Sequence, residues 1–181
     1  MILARNLGKF KSEGELIKTL VRLMYQHFDP IDTEYEILFA IGMDAIENIL
    51  YVDVVSMGND MSALFSVAKI FKRALAEGAS FVILAHTHPG QDKPRLSKMD
   101  RESFRRTMKI GEQTLVLPYN MIAFSFPDGA FDSFYKNRED NTAIKKAKKE
   151  RKKMIKKLED DRLARANRRL RKILGDKKPL K

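Results

Sequence analysis

The pattern of apolar and polar positions along the chain predicts helices that alternate with strands. Segments with apolar residues at helical spacing are predicted helices, and apolar runs bounded by turn residues are predicted strands. The predicted helices are residues 15–28, 62–77 and 98–110, and the predicted strands are residues 36–43, 49–57, 81–85, 114–117, 120–126 and 130–135. On the second helix the apolar stripe comprises Leu64, Val67, Ala68, Phe71 and Leu75, with Ser62 as N-cap. This order predicts an α/β fold, a mixed sheet flanked by helices.

Two of the three histidines of the chain follow a central strand, in the stretch FVILAHTHPGQDKPRLSKMD (residues 81–100). Side chains at positions i and i+2 of an extended strand point to the same side, so His86 and His88 can face one point. The chain has no cysteine, so a metal must be held by His, Asp, Glu or water. Asp100, in the first turn of the next predicted helix, is the natural third ligand. These three side chains predict a catalytic zinc site with one coordinated water, whose pKa would fall to about 7.

The arrangement Glu…His-x-His-Pro…Ser-x-x-Asp resembles the JAMM (JAB/MPN) metalloprotease family. The stretch KRALAEGASFVILAHTHPG is similar to the helix and strand that carry this motif in the RadC-like branch. The resemblance implies a JAMM/MPN (cytidine-deaminase-like) fold, with zinc bound by His86, His88 and Asp100. It also implies that Glu36 is the general base and that Ser97 stabilises the oxyanion.

Several of these residues have an alternative interpretation. Glu34, two residues before Glu36, is a second candidate for the base, and Glu36 could be a solvent-facing residue at a strand end. Ser97 and Asp100 also fit a capping box, in which the serine caps the helix and the aspartate occupies position N3. His27 is interpreted as an ordinary residue near the end of the first helix.

The sequence departs from the RadC-like pattern at three places. Eight residues separate His88 from Ser97, whereas the family usually has seven. The Asp-His pair that RadC-like chains tend to carry near residues 118–120 is absent. The 35 residues before Glu36 are expected to be too few for the helix-hairpin-helix region that RadC-like proteins often have.

The net charge of +11 is concentrated at one end of the chain. Residues 138–181 contain 19 Lys and Arg against 7 Asp and Glu, whereas residues 1–137 contain 16 and 17. We therefore predict an N-terminal helix that is part of the main domain (residues 1–33), a RadC-like JAB/MPN domain (residues 34–137), and a basic helical or disordered tail. Such an asymmetry suggests a polyanion partner for the tail.

The stretch RLARANRRLRK (residues 162–172) resembles arginine-rich helices that bind RNA or DNA phosphates. The residues expected to contact nucleic acid are Arg162, Arg165, Arg168, Arg169, Arg171 and Lys172. A protein partner and a purely solubilising tail are the alternatives. An anionic membrane is disfavoured because the apolar stripe of the tail lacks Phe and Trp anchors.

Two functions are therefore expected. The first is a zinc-dependent hydrolase that cleaves a peptide or isopeptide bond. The second is a scaffold with weak or no catalysis that binds nucleic acid through its tail, in keeping with the DNA-repair label that RadC-like proteins commonly carry. The chain has no apolar run of about 18 residues and no signal-peptide pattern near Met1, so a cytoplasmic protein is expected. The resemblance to the RadC-like branch implies that it is bacterial.

Overall fold

A computed structural model of the protein describes residues 1–58 and 67–134. The strands in this part of the chain are β1 (Ile2–Lys9), β2 (Glu36–Met43), β3 (Asn48–Gly58), β4 (Phe81–Thr87), β5 (Leu117–Phe124) and β6 (Phe131–Ser133), and the helices are α1 (Glu13–His27), α2 (Val67–Ala76) and α3 (Lys98–Gly111). The strands form one sheet in the order β1-β3-β2-β4-β5-β6. Only β4 and β5 pair in parallel among them, and the other neighbours are antiparallel. The predicted mixed α/β sheet is confirmed.

One face of the sheet is covered by α1. Ser12 caps this helix, because its Oγ accepts a hydrogen bond from the backbone N–H of Glu15 at 3.3 Å. The helix buries a row of residues at helical spacing, namely Leu16, Ile17, Leu20, Leu23 and Met24. These pack against the side chains of β2, β4 and β5 that point to the same face, including Phe39, Ile83 and Phe124.

The opposite face of the sheet is covered by α2 and α3. Ile70 and Phe71 of α2 and Phe104 of α3 pack against the strand side chains that point to this face. These include Leu38, Leu84 and Ala123. Because both faces are covered, the central strands β2 and β4 are apolar at nearly every position.

The predicted stripe of α2 is partly wrong. Ala68 and Leu75 are exposed, and the buried residues of this helix are Ile70, Phe71 and Ala74. The helix is therefore rotated relative to the prediction. Leu64 and the predicted N-cap Ser62 lie outside the described residues.

The strand predictions need two further corrections. Strand β1 was not predicted, and it pairs antiparallel with β3 through a register that is interrupted twice. Asn6 and Gly8 take φ values of 55° and 79° at the second interruption, so polar and glycine residues break the alternation by which a strand is recognised. Residues 114–116 are not a strand, and β5 runs through the predicted gap at residues 118 and 119.

No helix in the described part of the chain has the length and hydropathy needed to cross a membrane.

Candidate metal centre

The two histidines lie at the end of β4, in the middle of the sheet. His86 is the penultimate residue of this strand and lies opposite Leu38 on β2. His88 follows the strand, and its backbone N–H donates to the carbonyl of Phe124 on β5 at 2.9 Å. Both side chains are buried, and their Nε2 atoms lie 2.8 Å apart. The i, i+2 spacing therefore brings the two ring nitrogens together, as predicted.

Asp100 comes to the same place from the first turn of α3. Its Oδ1 lies 3.6 Å from Nε2 of His86, while its Oδ2 accepts a hydrogen bond from the backbone N–H of Ser97 at 2.7 Å. In return, Ser97 Oγ accepts from the N–H of Asp100 at 3.1 Å, which completes a capping box. The ligand and capping interpretations of Asp100 are thus compatible, because each uses a different carboxylate oxygen.

The ionisation of Asp100 is set by opposing effects. Burial acts to raise its pKa, but hydrogen bonds and charge from His86, together with the hydrogen bonds from Ser97, hold the pKa below its ordinary value. The side chain is therefore a carboxylate at neutral pH, which is the form that binds a cation.

The three side chains fit a divalent ion. One ligand atom from each residue lies within 4.8 Å of the other two. Tetrahedral zinc with bonds of about 2.0–2.1 Å would separate its ligand atoms by about 3.3 Å, between the observed 2.8 Å and 3.6 Å. A set of two imidazoles and one carboxylate suits zinc and several other first-row metals. This buried group could therefore bind a metal ion.

Gln91 orients one of the two rings and was not singled out from the sequence. Its Oε1 lies 3.2 Å from Nδ1 of His88. An amide oxygen only accepts hydrogen bonds, so the Nδ1–H of His88 is the donor here, and metal binding through Nε2 would leave this hydrogen bond intact. The Nδ1 atom of His86 is buried and has no hydrogen-bond partner among the described residues.

Glu36, the predicted base, is the first residue of β2. Because Leu38 pairs with His86, continuing the register by two residues places Glu36 opposite His88. Directly opposed side chains share a face of the sheet, so Glu36 points to the face of the histidines. Its half-burial raises its pKa, although His88 and His86 act to lower it. Glu34, the alternative base, lies before the strand in the 3₁₀ turn Pro30–Glu34.

Thr87 lies between the two histidines and points to the opposite face of the sheet. Its Oγ1 accepts from the backbone N–H of Ile37 at 2.8 Å and donates to the carbonyl of Tyr35 at 3.3 Å. These two residues flank Glu36, so the hydroxyl holds the backbone on both sides of the predicted base. The sequence analysis did not single out Thr87. The one sequence feature that could have indicated its role is the threonine hydroxyl between the two histidines.

The remaining predicted site residues are placed as follows. Ser97 is half-buried, and its hydroxyl proton has no acceptor within the described ranges, so it can donate to a ligand. The eight-residue loop before it turns at Gly90, which has a φ of 69°. His27 is exposed in the last turn of α1. The predicted nucleic-acid residues, Arg162 to Lys172, lie outside the described residues.

Comparisons with known proteins give a match to one family model and to two relatives. A family model described as a RadC-like JAB domain matches residues 12–120. A UPF0758 protein of Symbiobacterium thermophilum is 38% identical over 69 residues, which are 38% of this chain and 29% of that protein. A UPF0758 protein of Thiobacillus denitrificans is 36% identical over 100 residues, which are 55% of this chain and 42% of that protein. The matched segments span less than half of the length of both relatives.

Proposed function

Because the chain belongs to the RadC-like JAB domain family, we propose that it is a metal-dependent hydrolase that cleaves a peptide or isopeptide bond. The observation that carries this proposal is the buried group of His86, His88 and Asp100, with Glu36 directed to the same face of the sheet. Three ligands from two rigid elements leave room for a water molecule, which is the arrangement of catalytic metal sites.

The three ligand residues would hold the metal through Nε2 of each histidine and Oδ1 of Asp100. A zinc ion, when bound there, lowers the pKa of a coordinated water and polarises the substrate carbonyl. The hydrogen bond that His88 Nδ1 donates to Gln91 supports this role of His88, and the contact of Oδ2 with Ser97 keeps Oδ1 of Asp100 directed at His86.

Glu36 would accept a proton from the attacking water molecule and pass it to the leaving nitrogen. Its raised pKa supports this role, since a carboxylate with a higher pKa is a stronger base and accepts the proton of the water more readily. The Ser97 hydroxyl would donate a hydrogen bond to the oxyanion that forms when the carbonyl is attacked.

Metal content is the first test of the proposal. The purified 181-residue chain is expected to contain about one zinc ion per chain. His88→Ala should lose this metal, because it removes a ligand. His27→Ala is the matched control, since His27 is an exposed residue of α1. A folded wild-type protein that binds no metal, or a His88→Ala variant that keeps it, would contradict the proposed centre.

As a second candidate, we propose that residues 138–181 bind nucleic acid and that the folded body is a scaffold. The observation that favours it is the excess of 19 basic over 7 acidic residues in this segment. Deleting residues 138–181 should then abolish binding that weakens with salt, because phosphate contacts release counterions. Glu36→Gln should leave the same binding intact.

A further inference from the structure

A groove of about 470 Å³ is lined by residues that neighbour the candidate metal centre in the sequence. Its walls come from the loop after His88, from α3, and from the segment that contains β6. The residues that matter for its chemistry are Lys93, Arg95, Leu96, Arg101, Phe131 and Asp132. The volume is in the range of sites that hold a drug-sized ligand, which corresponds to a few peptide residues.

The rim of this groove carries an excess of positive charge. Lys93 and Arg95 are exposed, and neither forms an ion pair with another residue in the described part of the chain. Among the described residues that line the groove, Asp132 is the single acid. Its Oδ2 is already engaged, at 3.5 Å from Nη2 of Arg101 and 3.1 Å from the backbone N–H of Leu96. Two cations therefore remain for a ligand.

The walls of the groove are held in place by the fold. Asp132 of β6 contacts Leu96 at the end of the loop and Arg101 in the first turn of α3. These contacts hold both segments against the strand. The guanidinium of Arg101 also lies 5.8 Å from the ring centre of Phe134. A ligand would thus meet a surface that is largely preorganised, which reduces the entropy lost on binding.

The groove is continuous with the candidate site along the chain. Leu96 directly precedes Ser97, and Arg101 directly follows Asp100. Neighbouring Cα atoms are about 3.8 Å apart, so the groove begins within one residue of two predicted site residues. A substrate whose scissile bond lies at the centre would have its flanking residues within reach of the groove.

The shape of the groove favours a peptide over a nucleic acid as the source of negative charge. The site is concave, and Pro94 and Leu96 are buried in its wall while Phe131 is half-buried. Apolar contacts of this kind suit the side chains of a bound peptide. A nucleic-acid backbone would instead need a broad cationic surface for a row of phosphates.

We infer that this groove binds an acidic segment of the peptide substrate, next to the bond that is cleaved. The inference rests on the proposed hydrolase function for its choice of a peptide. It adds the substrate class, since Lys93 and Arg95 would select Asp or Glu near the scissile bond.

Binding of a labelled peptide to the full chain tests the inference without requiring catalysis. The probe is a short fluorescent peptide with two adjacent glutamates, compared with the same peptide carrying glutamines, by anisotropy at physiological salt. Lys93→Gln/Arg95→Gln should weaken binding of the glutamate peptide by about fivefold or more. The charge-preserving Lys93→Arg/Arg95→Lys variant should retain it.

The basic tail requires a control of equal charge. Lys152→Gln/Lys153→Gln removes two positive charges from the tail, and it should change the affinity by less than about twofold. Equal weakening by this variant and by the groove variant would overturn the inference, as would equal binding of the glutamine peptide. The inference would also fall if a single-stranded oligonucleotide bound the wild type more tightly than the peptide and lost that binding in the groove variant.

The same assay separates this inference from the proposed function. Metal analysis of Lys93→Gln/Arg95→Gln, set beside the binding assay, should show the metal content of the wild type, because neither residue is a proposed ligand. Charge-selective binding in a protein without metal would leave the groove assignment standing and remove the hydrolase. Bound metal without charge-selective binding would leave the proposed metal centre standing and overturn the groove assignment.

Discussion

At the scale of single residues, Asp100 shows how one side chain can serve both the fold and the site. One carboxylate oxygen faces His86, and the other accepts from Ser97 at the start of α3. The Ser-x-x-Asp pattern therefore predicts both a helix cap and a ligand, and neither interpretation excludes the other.

Separating these two roles gives a first prediction. Ser97→Ala removes the Oγ that caps α3, so it should lower the free energy of unfolding by about 1 kcal/mol while metal binding persists. Asp100→Asn should abolish metal binding, because it removes the charge on a ligand. Urea unfolding and metal analysis of both variants check this. Loss of metal in Ser97→Ala would show that the cap and the centre cannot be separated.

Thr87 is the residue for a second prediction. Thr87→Val keeps the shape of the side chain but leaves the N–H of Ile37 and the carbonyl of Tyr35 without their partner. The expected loss is about 1–3 kcal/mol in the free energy of unfolding, measured by urea titration. Thr87→Ser should recover most of it. Equal instability of both variants would mean that the methyl group, and not the hydroxyl, stabilises this part of the sheet.

Glu36 gives a third prediction, on pH dependence in the metal-free protein. Its pKa is raised in the folded state, mainly by burial, so its neutral form is the one that the fold favours. The associated stability is fully present below the unfolded pKa and is lost as pH rises through the folded pKa. Glu36→Gln should therefore be more stable than the wild type at neutral pH and equal to it in acid. Thermal unfolding across pH checks this, with Glu34→Gln as the control.

At the scale of elements, β2 and β3 show how closely two strands are fitted to each other. Gly42 lies opposite Tyr51, whose ring is fully buried. A Cβ on Gly42 would come within 2.0 Å of this ring. Glycine is thus required here by close packing, and the strand could not carry a larger residue without moving its neighbour.

Substitution of this glycine is a fourth prediction. Gly42→Ala should lower the free energy of unfolding by about 1–3 kcal/mol, because the ring of Tyr51 must shift in a packed core. Gly58→Ala is the control, since nothing lies within 4 Å of a Cβ at that end of β3. Chemical denaturation compares the two, and an equal effect at both positions would contradict the packing argument.

The elements that could be predicted from the sequence are those with continuous local patterns. The bounds of β2 agree with the prediction, and α3 begins at the predicted residue because its cap is encoded by Ser97. Strand β1 could not be predicted, because its partner β3 is more than 35 residues away and its register is broken at Asn6 and Gly8. Pairing with a distant strand, and not local preference, determines such a segment.

At the scale of the whole molecule, the two faces of the sheet have different roles. The face covered by α1 is an apolar core and holds the hydroxyl of Thr87. The face covered by α2 and α3 carries the histidines and Asp100 at its edge. The grouping of the three candidate ligands could be predicted from spacing, whereas Gln91 and Thr87 became visible only once the loop and the sheet register were known.

A metal held between β4 and α3 should stabilise the whole domain, which is a fifth prediction. A ligand that binds only the folded state adds about 2.7 kcal/mol at a hundredfold excess over its Kd. Added zinc should therefore raise the Tm of the metal-free protein, and a chelator should reverse the rise. His88→Ala should show no response, while His27→Ala should behave as the wild type. A response in His88→Ala would indicate that zinc binds elsewhere.

The eight-residue loop between His88 and Ser97 has a consequence for how such a protein can diversify. In a closed loop the entropy cost grows only with the logarithm of length, so one residue beyond the seven of the family costs about 0.1 kcal/mol. The same loop contributes Lys93 and Arg95 to the groove. If the groove selects substrates as inferred, insertions and substitutions there would alter which substrates are accepted with little effect on the candidate ligands His88 and Asp100 on either side. Selectivity and metal binding could therefore evolve separately, within the fifteen residues from His86 to Asp100.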